Sequence, residues 1–267
     1  MKKINLLLLL LLIGTSVYAK NSEITSSVSL VGMSMDYKEY DNGGTLRDSE
    51  KSSFTDLAGV EMNVGYIFSN DSSAYNQINL NLMVLGGATD YIGALLNSND
   101  PYGSVVGTTI NRVIDTDISY KRTNSFANNF EFNYGLGLGY RLWERSLSAS
   151  QVETYKWFSL RPMIGINYAV HSKLNIGLAL EYQYGINPTM SASNPNLNFT
   201  LGGADIFEIS VPIHYKLSER WDIFTEYVYQ LQKISKSGIE YDGVTRYYEP
   251  DSTANNQFLK LGTGFKF

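Results

Sequence analysis

The sequence predicts an all-β protein: a closed, antiparallel, up-and-down barrel of about ten strands that crosses a membrane, with eight strands as the alternative. Three observations predict it. Apolar and polar residues alternate over segment after segment, giving each strand one side for lipid and one for a polar lumen. Beyond a short apolar run near the N-terminus, no stretch approaches the roughly 20 apolar residues of a membrane helix, and without helices only a closed barrel satisfies its backbone polar groups in hydrocarbon. Finally, 20 Tyr, 12 Phe and 23 Gly form an inventory for interfacial rings and close-packed strands. The mean hydropathy of -0.16 looks soluble only because alternation averages away.

The elements follow in order. Lys2 and Lys3 precede the apolar run Leu6 to Ile13, and Val17-Tyr18-Ala19 offers small residues for a signal peptidase. Residues 1–19 therefore read as a secretory signal peptide and 20–267 as one barrel domain. The first strand, about Thr25 to Tyr37, is expected to turn Val31, Met33, Met35 and Tyr37 outward, although Val28 and Leu30 sit on the opposite parity. The second places Val60, Met62, Val64, Tyr66 and Phe68 outside, and the third Ile78, Leu80, Leu82 and Val84. In the fourth, Ile110, Ile114, Ile118 and Tyr120 share their face with Arg112. A lipid-facing arginine at mid-depth costs about 2–4 kcal/mol, so Arg112 is expected at the rim, as a candidate lipopolysaccharide contact.

The fifth strand alternates most cleanly: Phe130, Phe132, Tyr134, Leu136, Leu138 and Tyr140 against Glu131, Asn133, three glycines and Arg141. The sixth and seventh form a hairpin around His171-Ser172-Lys173, and the eighth and ninth another around Ser218-Glu219-Arg220. The tenth ends the chain. Short links alternate with long polar ones near Glu39 to Ser53, Tyr91 to Asn111, Trp143 to Thr154, Ile186 to Gly203 and Lys233 to Asn256. Short turns belong on the periplasmic side of such barrels and long loops outside, so both termini are expected in the periplasm. No extension for gripping peptidoglycan is expected after Phe267.

A ten-stranded barrel is narrow, and its inward side chains carry both charge signs. Glu61, Glu131, Arg141, Arg161, Glu181, Lys216, Asp222 and Glu226 are expected to form a lumen network, since an unpaired buried ion costs several kcal/mol. Turn geometry sets Lys216 opposite Asp222, and Arg161 beside Gln183 and diagonal to Glu181. This network is either a structural plug or the lining of a thin, weakly selective pore.

The last residues, Lys260-Leu261-Gly262-Thr263-Gly264-Phe265-Lys266-Phe267, alternate up to a terminal aromatic ring. With Lys260, Gly262, Phe265 and Phe267 in place, this ending resembles the signal by which outer-membrane barrels are recognised for assembly. Together with the signal peptide and the alternation, it makes the chain similar to small bacterial outer-membrane barrels of the OmpA-like and opacity-protein, porin-like type. That resemblance implies a monomeric Gram-negative surface protein, structural, adhesive or slightly permeable. It implies lipid, lipopolysaccharide and the barrel-assembly machinery as partners, a candidate extracellular ligand at the loops, and no catalytic residue. Those families commonly have eight strands, so a tenth leaves the subfamily open.

Other chemistries find little footing. The absence of cysteine excludes disulfides, thiol nucleophiles and thiolate metal sites, and a net charge of -5 gives no footprint for nucleic acid. Asp115-Thr116-Asp117 matches the first half of the site of the ten-stranded omptin proteases, but Pro212 stands where the second half needs an aspartate two residues before His214. His171-Ser172 on a tight turn makes poor geometry for a lipid hydrolase. Solvated loop charge accounts for Asp41, Asp100, Asp242, Glu249 and Asp251, although such carboxylates bind calcium weakly. No enzyme, cofactor or metal site is therefore expected. A passive pore and an outer-membrane hydrolase remain the alternatives to a surface structural protein.

Overall fold

A computed structural model describes residues 22–68, 73–94, 100–127 and 129–267. The expected signal peptide and part of the short link expected near Ser69 to Ser73 lie outside them. Among the described residues thirteen strands form: β1 (Ser22–Tyr40), β2 (Leu46–Lys51), β3 (Leu57–Phe68), β4 (Ala74–Gly93), β5 (Val105–Ala127), β6 (Phe130–Ser146), β7 (Val152–His171), β8 (Leu174–Ser193), β9 (Asn196–Lys216), β10 (Trp221–Ser237), β11 (Glu240–Asp242), β12 (Thr245–Tyr247) and β13 (Asp251–Lys266). β2 and β3 are two parts of one wall strand, since both pair with β1 on one side and β4 on the other. β11 and β12 form a separate hairpin. The wall thus has ten strands, all antiparallel, and β1 closes the ring against β13 from Thr25↔Lys266 to Tyr40↔Asp251.

The wall is taller than a membrane requires. A crossing takes about 9–11 residues per strand, whereas β5 has 23 and β9 has 21. Outward apolar residues gather in the half nearest the termini and short turns: Leu80, Ile118, Leu138, Leu160, Leu178 and Leu261 are all exposed. An exposed, contiguous apolar belt of this kind suits lipid rather than water. The other half rises beyond it toward the long connections.

There the polarity of the wall inverts. On β7, inward Ser159 and Arg161 give way to inward Trp157 and Tyr155, while outward Leu160 and Phe158 give way to Lys156. Where the outside meets water instead of lipid, the hydrophobic effect drives apolar side chains inward, as in any soluble barrel. Tyr37, Trp157, Met190, Phe199, Ile206 and Ile234 therefore pack into one core inside the raised half.

This inversion corrects two expectations. Val31, Met33, Met35 and Tyr37 face the interior, Tyr37 with 0% exposure, and it is Val28 and Leu30 that face lipid. The segments read as long loops are largely strand. The one expected from Ile186 to Gly203 is β8 and β9 joined at Asn194–Pro195, a cis peptide bond, and the one from Trp143 to Thr154 is a turn of residues 147–151.

Candidate functional site in the barrel interior

From the terminal end upward, the lumen has four levels. The first is a vestibule of about 960 Å³, bordered by Lys121, Glu131, Asn167, His214, Lys216 and Asp222. Lys216 stands opposite Asp222 as the turn geometry requires. The Asp222 carboxylate bonds instead to His214 Nδ1 at 2.7 Å, and the imidazole stacks on Phe224.

Above it, a chamber of about 410 Å³ contains Glu61, Asp117, Glu181, Glu226 and Lys260 along its walls. Lys260 is paired with Glu226 on the adjacent strand at 3.1 Å and reaches over β1 to Glu61 at 2.8 Å. Lys260 of the C-terminal signal is thus also a lumen ion.

The third level closes the chamber. Asp115 on β5 accepts from Arg141 Nε at 2.5 Å and pairs with Arg161 Nη1 at 2.8 Å, all three groups being buried. Arg161 lies one strand beyond β6, between the pairs Leu160↔Tyr184 and Met163↔Glu181 of the β7–β8 ladder. Its ion partners are not Glu181 but Asp115 and, at 3.7 Å, Asp117. β6 lets it reach them because Gly139 presents no side chain: a Cβ there would sit 2.2 Å from Arg161 Nε. Arg141 continues to Gln230 at 3.4 Å and Gln232 at 3.2 Å, and Gln230 donates to Glu208. A plate of charges and amides results, with the aromatic core directly above.

The fourth level, beyond the lipid belt, was not legible in the sequence. Arg145 on β6 is fully buried. Its Nε and Nη2 bind Glu50 Oε1 at 3.0 and 2.8 Å, and its Nη1 lies within 3.2 Å of Glu39, Glu153, Tyr37 and Tyr155 oxygens. Its guanidinium stands 4.3 Å from the centre of the Tyr37 ring. Thr89, at 2.6 Å, and Asn111, at 2.9 Å, complete the shell of Glu50. Although burial opposes its charge, Arg145 and these donors hold Glu50 below the usual carboxylate range. The neighbouring acids behave oppositely: burial lifts Asp48 and Glu153 to about 7 and raises Glu249 well above the usual carboxylate range, with Glu39 adding to each. One guanidinium does not compensate all of these acids.

On the outer face, the Arg112 side chain is 71% exposed. Its guanidinium already has a partner, Glu144 on β6 at 3.5 Å. At the C-terminus, Phe265 packs edge-on against Trp221 and Phe267, and Phe267 N–H donates to Ile24 C=O. Gly262 sits where a Cβ would strike Phe224 and the Val28 carbonyl.

No protein-family model and no curated protein sequence matches the chain. In structure, it is similar to the outer membrane protease OmpT from Escherichia coli, with a TM-score of 0.56 at 10% identity over 92% of this chain and 97% of that one. The translocator domain of the autotransporter NalP from Neisseria meningitidis aligns with a TM-score of 0.45 at 9% identity, over 91% and 88% of the two chains. Ail, the attachment invasion locus protein of Yersinia pestis, aligns with a TM-score of 0.37 at 13% identity, over 92% and 99%.

Proposed function

We propose that this all-β barrel lies in the outer membrane and serves as a sealed structural or adhesin-like protein of the cell surface. Both termini would lie in the periplasm, and the raised half would stand outside the cell. The observation that carries this reading is the double closure of the lumen. The plate of Asp115, Arg141 and Arg161 is capped by a hydrophobic core, and the cavity between them, beside Met33, Trp143 and Phe258, holds about 20 Å³. A water-filled pore needs a continuous polar path, which this core opposes. Packed as it is, the raised half forms a rigid pedestal for whatever its connections contact.

The omptin-like alternative draws on the likeness to OmpT, which at 10% identity extends to the wall alone. Asp115 is held by two arginines, and the carboxylate partner of His214 is Asp222. Neither group is arranged to activate water beside the other. For Arg112, a lipopolysaccharide phosphate would compete with Glu144, and the terminal octet would be the segment read by the assembly machinery.

Reconstitution of the refolded barrel in planar bilayers tests the sealed lumen. No stable current steps are expected. Steps whose size changes in Arg141→Ala would overturn the reading in favour of a pore.

A further inference from the structure

The acids around Arg145 are arranged as a ligand set as well as an ion-pair cluster. Glu39 comes from β1, Glu153 from the start of β7 and Glu249 from the segment between β12 and β13, three regions distant in sequence. One carboxylate oxygen from each lies within 4.8 Å of the other two. Calcium, which takes oxygens at about 2.3–2.6 Å in flexible geometry, fits within that limit. Magnesium dehydrates reluctantly and is rarely held in a dedicated all-protein cage.

Charge and donor counts point the same way. Arg145 Nη1 carries two protons yet faces four oxygens. Tyr37 donates to Glu39 and Tyr155 to Glu249, which still leaves the acids short of positive charge.

A second, independent observation concerns Ser252. It stands opposite Glu39 in the β1–β13 ladder, on the inward parity marked by buried Ser252 and Ala254 and exposed Thr253. It is 1% exposed, and among the described residues its hydroxyl oxygen has no hydrogen-bond partner. A buried serine beside a carboxylate ordinarily donates to it, because leaving the hydroxyl unmade costs about 1–3 kcal/mol. On the same inward face as Glu39 and without a partner, the Ser252 hydroxyl is free to serve as a further oxygen ligand.

We propose that Glu39, Glu153 and Glu249, with the Ser252 hydroxyl, bind one divalent cation of the calcium class inside the raised half of the barrel. The donors are all hard oxygens, the chemistry calcium takes and thiophilic metals do not. Such an ion would tie β1, β7 and the segment before β13 together at the level where no lipid supports the wall.

The test uses the full barrel, refolded in detergent, stripped with a chelator and titrated with terbium. Tyr37, Tyr155 and Trp143 line the cluster and would sensitise terbium luminescence. Saturable binding at one ion per chain is expected, displaced by calcium more readily than by magnesium, with a calcium-dependent rise in the thermal unfolding midpoint. Glu249→Gln and Ser252→Ala should each weaken binding about tenfold or more, whereas Asp242→Asn in the exposed β11–β12 hairpin should not. Folding of each variant is read separately by heat-modifiable gel migration, and Ser252→Ala removes only one oxygen should Glu249→Gln misfold. Absence of saturable binding, binding indifferent to both substitutions, or a preference for magnesium would overturn the proposal, the first leaving protons to balance the acids.

Discussion

Arg161 lies across Gly139, its Nε 2.2 Å from the point a Cβ would occupy, and from there its guanidinium reaches Asp115. The glycine therefore holds a passage for a charged side chain from β7 to β5. Gly139→Ala forces Arg161 to move or the wall to bend, an overpacking expected to cost about 1–3 kcal/mol. Gly137→Ala, whose added methyl would sit 3.3 Å from Ser119 Cβ, is expected to cost less. Equilibrium unfolding of the two variants in urea compares them directly, and equal costs would refute the passage.

The plate itself makes a second prediction. Asp115 is buried between two arginines, so Asp115→Asn leaves both guanidinium groups with a reduced charge partner. Breaking a buried pair from one side costs about 3–5 kcal/mol. Replacing Arg141 by Gln as well should return part of that loss, because one stranded cation disappears. A double-mutant cycle by denaturant unfolding reads the coupling; strict additivity would mean that the two side chains do not act as a pair.

Depth of the lipid belt is tested on the outside. Leu138 is 60% exposed within the belt, whereas Thr189 faces outward on the raised part of β8. Leu138→Arg should destabilise the barrel in bilayers by about 2–4 kcal/mol, and Thr189→Arg by about 0–1 kcal/mol. Similar costs at both positions would remove the distinction between belt and raised half.

Within the belt the sequence was a good guide, for a physical reason. Lipid fixes the polarity of the outer face, so the alternation from Phe130 to Arg141 could be assigned to its two sides without a structure. Above the belt that constraint lapses. Val31, Met33, Met35 and Tyr37 form an equally regular apolar row, but water outside turns it inward, and one sequence does not say where lipid ends. The Arg145 cluster was hidden for the same reason: Glu39 and Glu153 fell in stretches that looked like polar loops. The available signal was period two, in Tyr37-Lys38-Glu39 and Glu153-Thr154-Tyr155, where rings and acids share a face. Ladder register was also readable, setting Lys216 opposite Asp222. Which partner an ion selects was not, because Arg161 passes over a whole strand to find Asp115.

The hydrophobic cap gives the prediction closest to function. Trp157 is 1% exposed, and the Arg141 guanidinium stands 5.9 Å from its ring, so it joins the core to the plate. Trp157→Ala should cost about 3–5 kcal/mol through the cavity it opens. If the cap is what seals the lumen, the same variant, still folded by heat-modifiable migration, should pass small ions in planar bilayers where the parent chain does not. Trp157→Phe keeps most of the volume and should stay closed. Conductance in Trp157→Phe equal to that of Trp157→Ala would mean that the indole's shape does not close the path, and a fully silent Trp157→Ala would assign the seal to Asp115, Arg141 and Arg161 alone.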